Sequence, residues 1–362
     1  MSALRDRILG CLAASQIGSA MGAAVEGWDW RAIRDKYGVL EELLPYEHYG
    51  NGWLREPGTT EDGIERQRVF LRAIRRAGGR IGPEDVQAVW RDEVDPSHAQ
   101  WVMEPFDRYV ISLPHSDIPA VSIGSFNPHT TLISLARSCH PIGLINALDP
   151  ERAWRDVHHV GLVLQSPVGN GLDWAGLVAA VIAAACAPDA RIDDAIETGL
   201  SLVSRAIEDE VRSALEVAQG VASPLELREA FEGRYNITSG IPYAMSQANE
   251  IVSKALALAT ATGGGPRDTV VAAVNLGRDT DCLAAVAGGI AGAISGVGDL
   301  PGEWLEQLDR ATEANPHTCL KLSLSEMADI VLDGLAAEAE SMRRRLGVLS
   351  GMAPELGARN DD

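Results

Sequence analysis

The sequence has few aromatic residues and a shortage of positive charge. Aromatic residues make up 5% of the 362 residues, and 31 lysines and arginines face 51 aspartates and glutamates, a formal net charge of −20 at pH 7. A general nucleic-acid-binding protein needs a basic face to displace counterions from phosphates. The composition therefore argues against nucleic acid as a partner. It leaves an anionic small ligand open, because a bound metal or oriented dipoles can reverse the field at a site.

Paired cysteines are also absent from the sequence. The five cysteines are Cys11, Cys139, Cys186, Cys282 and Cys319, and no two of them have C-x-x-C spacing. An odd, scattered set is typical of reduced thiols in a cytoplasm rather than of a disulfide framework. We therefore expect a cytoplasmic protein with structural thiols.

Two apolar runs could be mistaken for targeting or membrane segments. ILGCLAASQIGSAMGAAV follows Arg7 like the core of a signal peptide, but polar residues interrupt it and its small residues recur at helical spacing. We interpret it as a buried first helix, with a cleaved signal as the alternative. The uncharged run 282–298 is rich in glycine and short for a bilayer span. Neither run predicts a membrane segment.

Apolar positions spaced by three or four residues dominate the rest of the chain and predict helices. The predicted helical segments are residues 31–36, 64–77, 83–92, 150–163, 174–187, 190–218, 224–232, 242–262, 269–276, 301–314 and 323–346. Several open with proline, which favours the first turn of a helix. No sustained alternation of period two is present. The prediction is an all-α fold, one large helical domain over residues 1–350 with a flexible tail at 351–362.

Two acidic clusters stand out at predicted helix starts. TTEDG at 59–63 ends a long irregular stretch, and GRDTDC at 277–282 opens the glycine-rich run. Each alone fits an ordinary helix N-terminus, with Thr60 or Asp279 as the cap. However, Asp279 and Asp281 adjoin a very apolar helix, and a buried carboxylate needs a cation, an arginine or a proton. Together the clusters would form an oxygen-rich cage suited to Mg²⁺, Mn²⁺ or Ca²⁺.

Other candidate residues are weaker. His140, His158 and His159 are expected to be hydrogen-bonded core or surface residues, and Cys139 and Cys282 to be structural thiols. The sequence contains no G-x-S-x-G, H-E-x-x-H or Walker A motif and no G-x-G-x-x-G after a strand. The acidic clusters are therefore the main functional candidates.

These motifs resemble those of the ADP-ribosylglycohydrolase family. ILGCLAASQIGSAMGAAVEGW is similar to the family's first helix and the loop after it, and PGTTEDG is similar to its T-D-D-T metal motif. NLGRDTDCLAAVAGGIAGAISG, followed by PGEW, is similar to the family's most specific segment. The matches occur in family order from about residue 4 to about residue 308.

The resemblance implies an all-helical fold with two Mg²⁺ or Mn²⁺ ions at the bottom of a cleft. Thr60, Glu61 and Asp62 would be the first ligand set, and Asp279 and Asp281 the second. By the same resemblance, Asp62 also has a catalytic role.

Two further roles concern acid–base chemistry and the substrate. Glu26 matches a loop glutamate that acts in acid–base work in some family members. Arg278 could meet a phosphate or carboxylate of the substrate, or form a structural salt bridge.

The sequence departs from the family pattern at five positions. Glu61 replaces an aspartate, Gly63 and Cys282 replace threonines, Ser19 replaces an aspartate, and Ser138 stands where an arginine is expected. Because a thiol is a poor ligand for a hard ion, the site could hold one ion rather than two.

The expected function is metal-dependent hydrolysis of an N- or O-glycosidic bond to ribose, in an ADP-ribosylated protein or a small ADP-ribosyl, nucleoside or NAD-derived substrate. A hard ion would chelate the vicinal ribose hydroxyls while a carboxylate accepts a proton from the attacking water. One alternative is a non-catalytic descendant that binds ADP-ribose or has a structural role. The other is a metal-dependent phosphoesterase.

Overall fold

Helices make up nearly all of the regular structure in the described part of the chain, which confirms the all-α prediction. The computed structural model describes residues 2–48, 50–103, 112–235 and 245–353. The helices there are α1 Ala3–Gly22, α2 Trp30–Tyr37, α3 Asp62–Ala77, α4 Pro83–Glu93, α5 Pro96–Val102, α6 Ala120–Ile123, α7 His140–Ile145, α8 Pro150–Val160, α9 Gly171–Ala185, α10 Ile192–Leu200, α11 Arg205–Gln219, α12 Leu227–Tyr235, α13 Ala248–Ala261, α14 Pro266–Val274, α15 Thr280–Ser295, α16 Gly302–Ala314 and α17 Leu324–Met352.

Short elements connect these helices. The 3₁₀ turns are Ala23–Val25, Leu113–His115, Gly124–Phe126, Gly161–Val163 and Pro224–Glu226. Two short strands, β1 Tyr46–Glu47 and β2 Leu54–Arg55, pair antiparallel with Tyr46 opposite Arg55. This hairpin lies in the predicted irregular stretch before the first acidic cluster and directs both side chains toward Glu61.

The packing of α1 against α15 sets the position of the second acidic cluster. A Cβ at Gly18 would collide with the Ala284 backbone, and one at Gly22 would lie 2.5 Å from the Asp281 Cα. Because glycine has no Cβ, it allows the backbones of α1 and α15 to come into direct contact, which a larger residue would prevent. The end of α1 is therefore fixed against the start of α15.

Helix boundaries follow local signals. Pro83 and Pro150 each occupy the first position of a helix, as predicted. Ser323 opens α17 with a capping box, bonding reciprocally with Glu326. Helix α15 ends at Ser295 because Gly296 adopts a φ of 79°.

Three predicted boundaries were imprecise. The helix predicted over 190–218 is two helices, α10 and α11, separated by residues 201–204. Of the helix predicted over 242–262, the structure shows Ala248–Ala261, and residues 242–244 lie outside the described residues. Helix α17 runs to Met352, two residues beyond the predicted end of the domain at residue 350, and residues 354–362 also lie outside the described part. The domain division at 350 stays a prediction.

The first helix is a core helix of the domain. The segment Ala3–Val25 is long and apolar enough to cross a membrane by length and composition, yet 89% of its most apolar window is buried inside the protein. This agrees with the interpretation of the first apolar run as a buried helix.

Candidate functional site

The fold brings the two acidic clusters together in the interior. Asp62 begins α3, while Asp279 caps α15 and Asp281 lies in its first turn. The Arg137 guanidinium lies 2.5 Å from Asp62 Oδ2 and 3.7 Å from Asp281 Oδ2, so it bridges the clusters. The juxtaposition expected from the sequence is therefore present.

One carboxylate oxygen of Asp279 caps a helix, and the other has no hydrogen-bond partner among the described residues. Its Oδ1 accepts a hydrogen bond from the Cys282 N–H at 3.3 Å. Asp279 Oδ2 and Asp281 Oδ1 are buried and have no hydrogen-bond partner among the described residues. Ligand atoms of Asp279, Asp281 and Cys282 all lie within 4.8 Å of one another. The capping and metal-binding interpretations are thus compatible.

The charge state of the second cluster reflects its burial. Burial, together with repulsion from Glu26 and Asp279, raises the pKa of Asp281 well above its ordinary value. Burial also raises the pKa of the Cys282 thiol well above its ordinary value. The thiol therefore stays protonated, and Cys282 offers a hard cation little.

Arg137 is a site residue that the sequence argument missed. Its guanidinium donates to Asp62 Oδ2 and, at 3.0 Å, to Cys282 Sγ. Burial lowers the pKa of Arg137, but Asp62, Cys282, Asp281 and Asp279 raise it by more than this. The net pKa lies well above the ordinary value, so Arg137 stays charged. The sequence placed Ser138 at the expected arginine and concluded that the arginine was lost.

The structure shows an arginine in the cluster one residue before Ser138. Ser138 donates its hydroxyl to the Ser134 carbonyl at 2.8 Å. The preceding residue, Arg137, points into the cluster instead. A one-residue offset in a region of turns cannot be read from the sequence, because turns lack a fixed side-chain period.

Glu61 is surrounded by donors. Tyr46 donates to its Oε1 at 2.5 Å, Arg55 Nε lies 3.4 Å from the same oxygen, and His48 Nδ1 lies 3.2 Å from Oε2. Burial raises the pKa of Glu61, but His48, Arg55 and Tyr46 together lower it below its ordinary value. Both oxygens of this predicted ligand thus face protein donors.

The remaining predicted members of the first set are also buried. Thr60 is buried between Glu61 and the preceding turn. Asp62 Oδ2 receives Arg66 at 3.1 Å besides Arg137, whereas Asp62 Oδ1 has no hydrogen-bond partner within the described ranges.

Glu26 is the most accessible acid of the site. Its side chain is 13% exposed, against 1% for Asp62 and 4% for Asp281. Burial, with repulsion from Asp279, raises its pKa to about 8, although His48 acts in the opposite direction. A carboxyl group that titrates near neutral pH suits acid–base catalysis. His48 Nε2 lies 3.1 Å from Glu26 Oε2, so His48 links Glu26 to Glu61.

Arg278 forms a structural salt bridge, which was one of the two roles expected for it. Its Nε and Nη2 donate to the two carboxylate oxygens of Glu250 at 2.7 and 2.9 Å, and Lys254 donates to the same carboxylate at 2.5 Å. Its backbone has a φ of 67° and bonds with Trp28 and Gly27. A guanidinium held this way positions the turn before Asp279.

The other histidine and cysteine predictions agree with the structure. His140 is fully buried, its Nε2 lies 3.2 Å from the Ala285 carbonyl oxygen, and burial lowers its pKa to about 4. His158 Nε2 lies 2.9 Å from Asp173 Oδ1. Cys139 is buried, with its thiol bonded to backbone carbonyls. All three are structural.

The donor set fits a hard divalent cation. Asp62 Oδ1, Asp279 Oδ2 and Asp281 Oδ1 are buried carboxylate oxygens without a hydrogen-bond partner in the part of the chain described. Oxygen donors of this kind are the ligands that Mg²⁺ and Mn²⁺ prefer. The other oxygens of the first cluster face arginine, histidine or tyrosine.

Comparisons with known proteins identify the fold and the family. The uncharacterized protein YegU of Escherichia coli (strain K12) is 25% identical over 329 residues, which cover 85% of this chain and 93% of YegU. A chain from a solved ADP-ribosylglycohydrolase-related protein complex has a TM-score of 0.62 and 19% identity, covering 91% of this chain and 100% of that one, and so shares the fold. A family model described as ADP-ribosylglycohydrolase matches residues 1–341. The chain belongs to the ADP-ribosylglycohydrolase family.

Proposed function

We propose that this protein is a hydrolase that cleaves the glycosidic bond to the ribose of an ADP-ribosyl or related nucleoside- or NAD-derived substrate with the help of one bound Mg²⁺ or Mn²⁺ ion. The observation that carries the proposal is the buried pair Asp279 and Asp281, with free oxygens, in the same site as Glu26. Membership of a glycohydrolase family supports this class of reaction.

The second acidic cluster would hold the ion. Asp279 Oδ2 and Asp281 Oδ1 supply free oxygens within this cluster, and Asp62 Oδ1 is a further buried oxygen without a hydrogen-bond partner among the described residues, on the other side of Arg137. When bound, a hard divalent ion fixes sugar hydroxyls and polarises water. A bound cation would also favour the ionised form of Asp281, whose pKa is raised by burial and neighbouring acids.

Glu26 would handle the proton. In the metal-free protein, burial and repulsion from Asp279 raise the pKa of its carboxyl group to about 8. A bound cation would lower this pKa, and the carboxyl group can exchange a proton with water or a leaving group. His48 lies 3.1 Å from Oε2 and fixes the orientation of the carboxyl group. Loss of a leaving group from ribose C1 develops positive charge on the sugar, which nearby carboxylates stabilise.

Arg137 would supply a built-in cation next to the ion. It neutralises Asp62 and contacts Cys282, a position where the family has a metal-ligating threonine. Because a guanidinium already balances charge there, the proposal is for one ion and not two.

A non-catalytic role is the second candidate, and one observation favours it. Both oxygens of Glu61 face Tyr46, Arg55 or His48, so the first ligand set has lost most of its free donor atoms. A protein of this kind would bind ADP-ribose without forming product.

A substrate panel distinguishes these functions. Wild-type protein with Mn²⁺ would be incubated with ADP-ribosyl-arginine, ADP-ribosyl-serine, O-acetyl-ADP-ribose and NAD, and products followed by HPLC. We expect a free ribosyl product, absent with Asp281→Asn and retained with the exposed control Asp268→Asn. Binding without any product would favour the non-catalytic role, and release of phosphate would identify a phosphoesterase.

A further inference from the structure

The outer half of α17 exposes an apolar stripe that the hydrolase function does not use. Every residue from 340 to 349 is exposed, and Met342, Leu346 and Leu349 are 63%, 51% and 41% exposed. The inner part of the helix, including Leu332 and Leu335, packs against the core. Contiguous exposed apolar surface of this kind marks an interaction site.

The stripe has coiled-coil spacing. Its members, separated by alternating intervals of three and four residues, are Leu332, Leu335, Ala339, Met342, Leu346 and Leu349. This is the a/d pattern with which one helix packs against another. We call these six residues the α17 seam. Val348, also exposed, lies outside it.

Charges beside the seam are divided along its length. Glu338 and Glu340 lie in its inner half, and residues 343–345 are three consecutive arginines in its outer half. Within the chain, Glu338 lies 3.4 Å from Arg80 and Glu340 lies 3.4 Å from Arg344, whereas Arg345 has no ion pair among the described residues. Two copies side by side in parallel would bring the arginine runs together. Two copies running antiparallel would place the arginines of each beside the glutamates of the other. The charge pattern is therefore self-complementary only in the antiparallel arrangement.

The residue layers also fit that arrangement. If the two-fold axis passes between Ala339 and Met342, Ala339 of one copy faces Met342 of the other. Leu335 of one copy then faces Leu346 of the other. Leu332 likewise faces Leu349. Each layer combines an a position with a d position, as antiparallel helices require.

The body of the protein leaves space for a second helix. A groove of about 440 Å³ runs beside the inner half of the seam, with Leu335 and Met342 on one side and Ile145, Leu148 and Asp149 on the other. Leu148 is 59% exposed. The charged side chains that line the groove are Arg80 and Arg152 on one hand and Asp149 and Glu338 on the other, so its charge is balanced. An antiparallel partner would cover Leu148 and bring its arginines near Asp149 and Glu338.

We propose that the α17 seam is a self-association surface, and that a second copy of this chain covers it by antiparallel helix pairing. A symmetric homodimer is the commonest oligomer, and an isologous interface needs a surface that is complementary to itself. The seam meets this requirement in shape and charge. The pairing is independent of the proposed hydrolysis, since the seam shares no residue with the acidic clusters.

Sedimentation velocity of the full chain from about 1 to about 100 µM tests the proposal. We expect a dimer for the wild type. Leu346→Glu combined with Leu349→Glu places charges within the seam and should weaken association at least about tenfold. The matched control is Val348→Glu, an equally exposed apolar-to-acid change on the same helix, which should remain dimeric. Circular dichroism checks that each variant is folded.

The direction of pairing has its own test. Arg345→Glu should weaken the dimer several-fold, and adding Glu338→Arg should restore it, because these positions face each other only in the antiparallel pair. Glu338 also lies 3.4 Å from Arg80 of its own chain, so the single variant Glu338→Arg is measured as well, to separate loss of that ion pair from the effect on pairing. A wild type that stays monomeric at the highest concentration would overturn the proposal, as would a dimer that survives the double seam variant. A monomer that dimerises only when residues 354–362 are deleted would also contradict it, by identifying the tail as the occupant.

Discussion

The two acidic clusters have similar sequences but differ in what surrounds them. Glu61 and Asp62 face Arg55, His48, Arg66 and Arg137, and their charges are balanced within the protein. In the second cluster, carboxylate oxygens are buried without a hydrogen-bond partner in the described residues.

This difference indicates at which cluster a bound cation would be stabilised more. Asp62 lies 3.1 Å from Arg66 and 2.5 Å from Arg137, whereas Arg137 lies 3.7 Å from Asp281. Because the acids of the second cluster are less fully compensated, a cation bound there gains more net attraction. The pKa values point the same way, since that of Glu61 is lowered and that of Asp281 is raised. We therefore locate the ion on the second cluster.

The largest expected effect comes from the second cluster. Asp281→Asn removes one charged ligand while keeping its size, and we expect hydrolysis to fall by about a thousandfold, as for loss of a central electrostatic group. The metal-free variant should be at least as stable as wild type, because a carboxylate with a raised pKa is removed. Initial rates and thermal melts check both. Undiminished hydrolysis would contradict the assignment.

Removing the cation of the first cluster should chiefly affect stability. Arg137→Met leaves Asp62 buried with one arginine fewer, and breaking such a pair costs about 3–5 kcal/mol. Millimolar Mn²⁺ should recover more stability in this variant than in wild type, because the ion can now occupy the vacated position. Chemical denaturation with and without Mn²⁺ measures this. Equal gains in the two proteins would mean that Arg137 does not act in place of an ion.

Stability of the metal-free protein should depend on pH through Glu26. Its pKa rises from an ordinary value of 4.5 to about 8 on folding, so the folded state binds more protons between these values. The favourable contribution is complete below pH 4.5 and is lost as pH rises through about 8, a change on the order of 5 kcal/mol. Denaturation at several pH values should show this decline, and Glu26→Gln should reduce it. If stability fell with pH as steeply in Glu26→Gln as in wild type, a group other than Glu26 would be responsible for the decline.

The smallest expected effect concerns Cys282. Replacing the protonated thiol by a hydroxyl, Cys282→Thr, adds a hard oxygen beside Asp281, and we expect Mn²⁺ affinity to rise a few-fold. Calorimetric titration measures it, with Cys282→Ser as a control that adds the oxygen without the methyl group. Weaker binding in both variants would show that the sulfur itself contributes.

The sequence predicted the fold class and the central aspartates for identifiable reasons. Helical periodicity and proline starts revealed most helices, and acids beside an apolar helix indicated a buried acidic cluster. The sequence did not predict the hairpin that places Tyr46 and Arg55 at the site. It also did not predict the turn that places Arg137 there. Those side chains reach the site through tertiary packing from irregular segments, where no period links sequence to direction. The break between α10 and α11 was missed because Leu202 and Val203 continue the apolar pattern between Ser201 and Ser204.

The most direct test of the account is the number of Mn²⁺ ions bound at equilibrium. Dialysis of wild-type protein against a range of Mn²⁺ concentrations, followed by elemental analysis, gives the stoichiometry. The account predicts one ion per chain at saturation, with that ion lost in Asp281→Asn and retained in the control Asp268→Asn. Two ions per chain in the wild type would contradict the role given to Arg137, and no ion at saturating Mn²⁺ would contradict the metal-dependent mechanism itself.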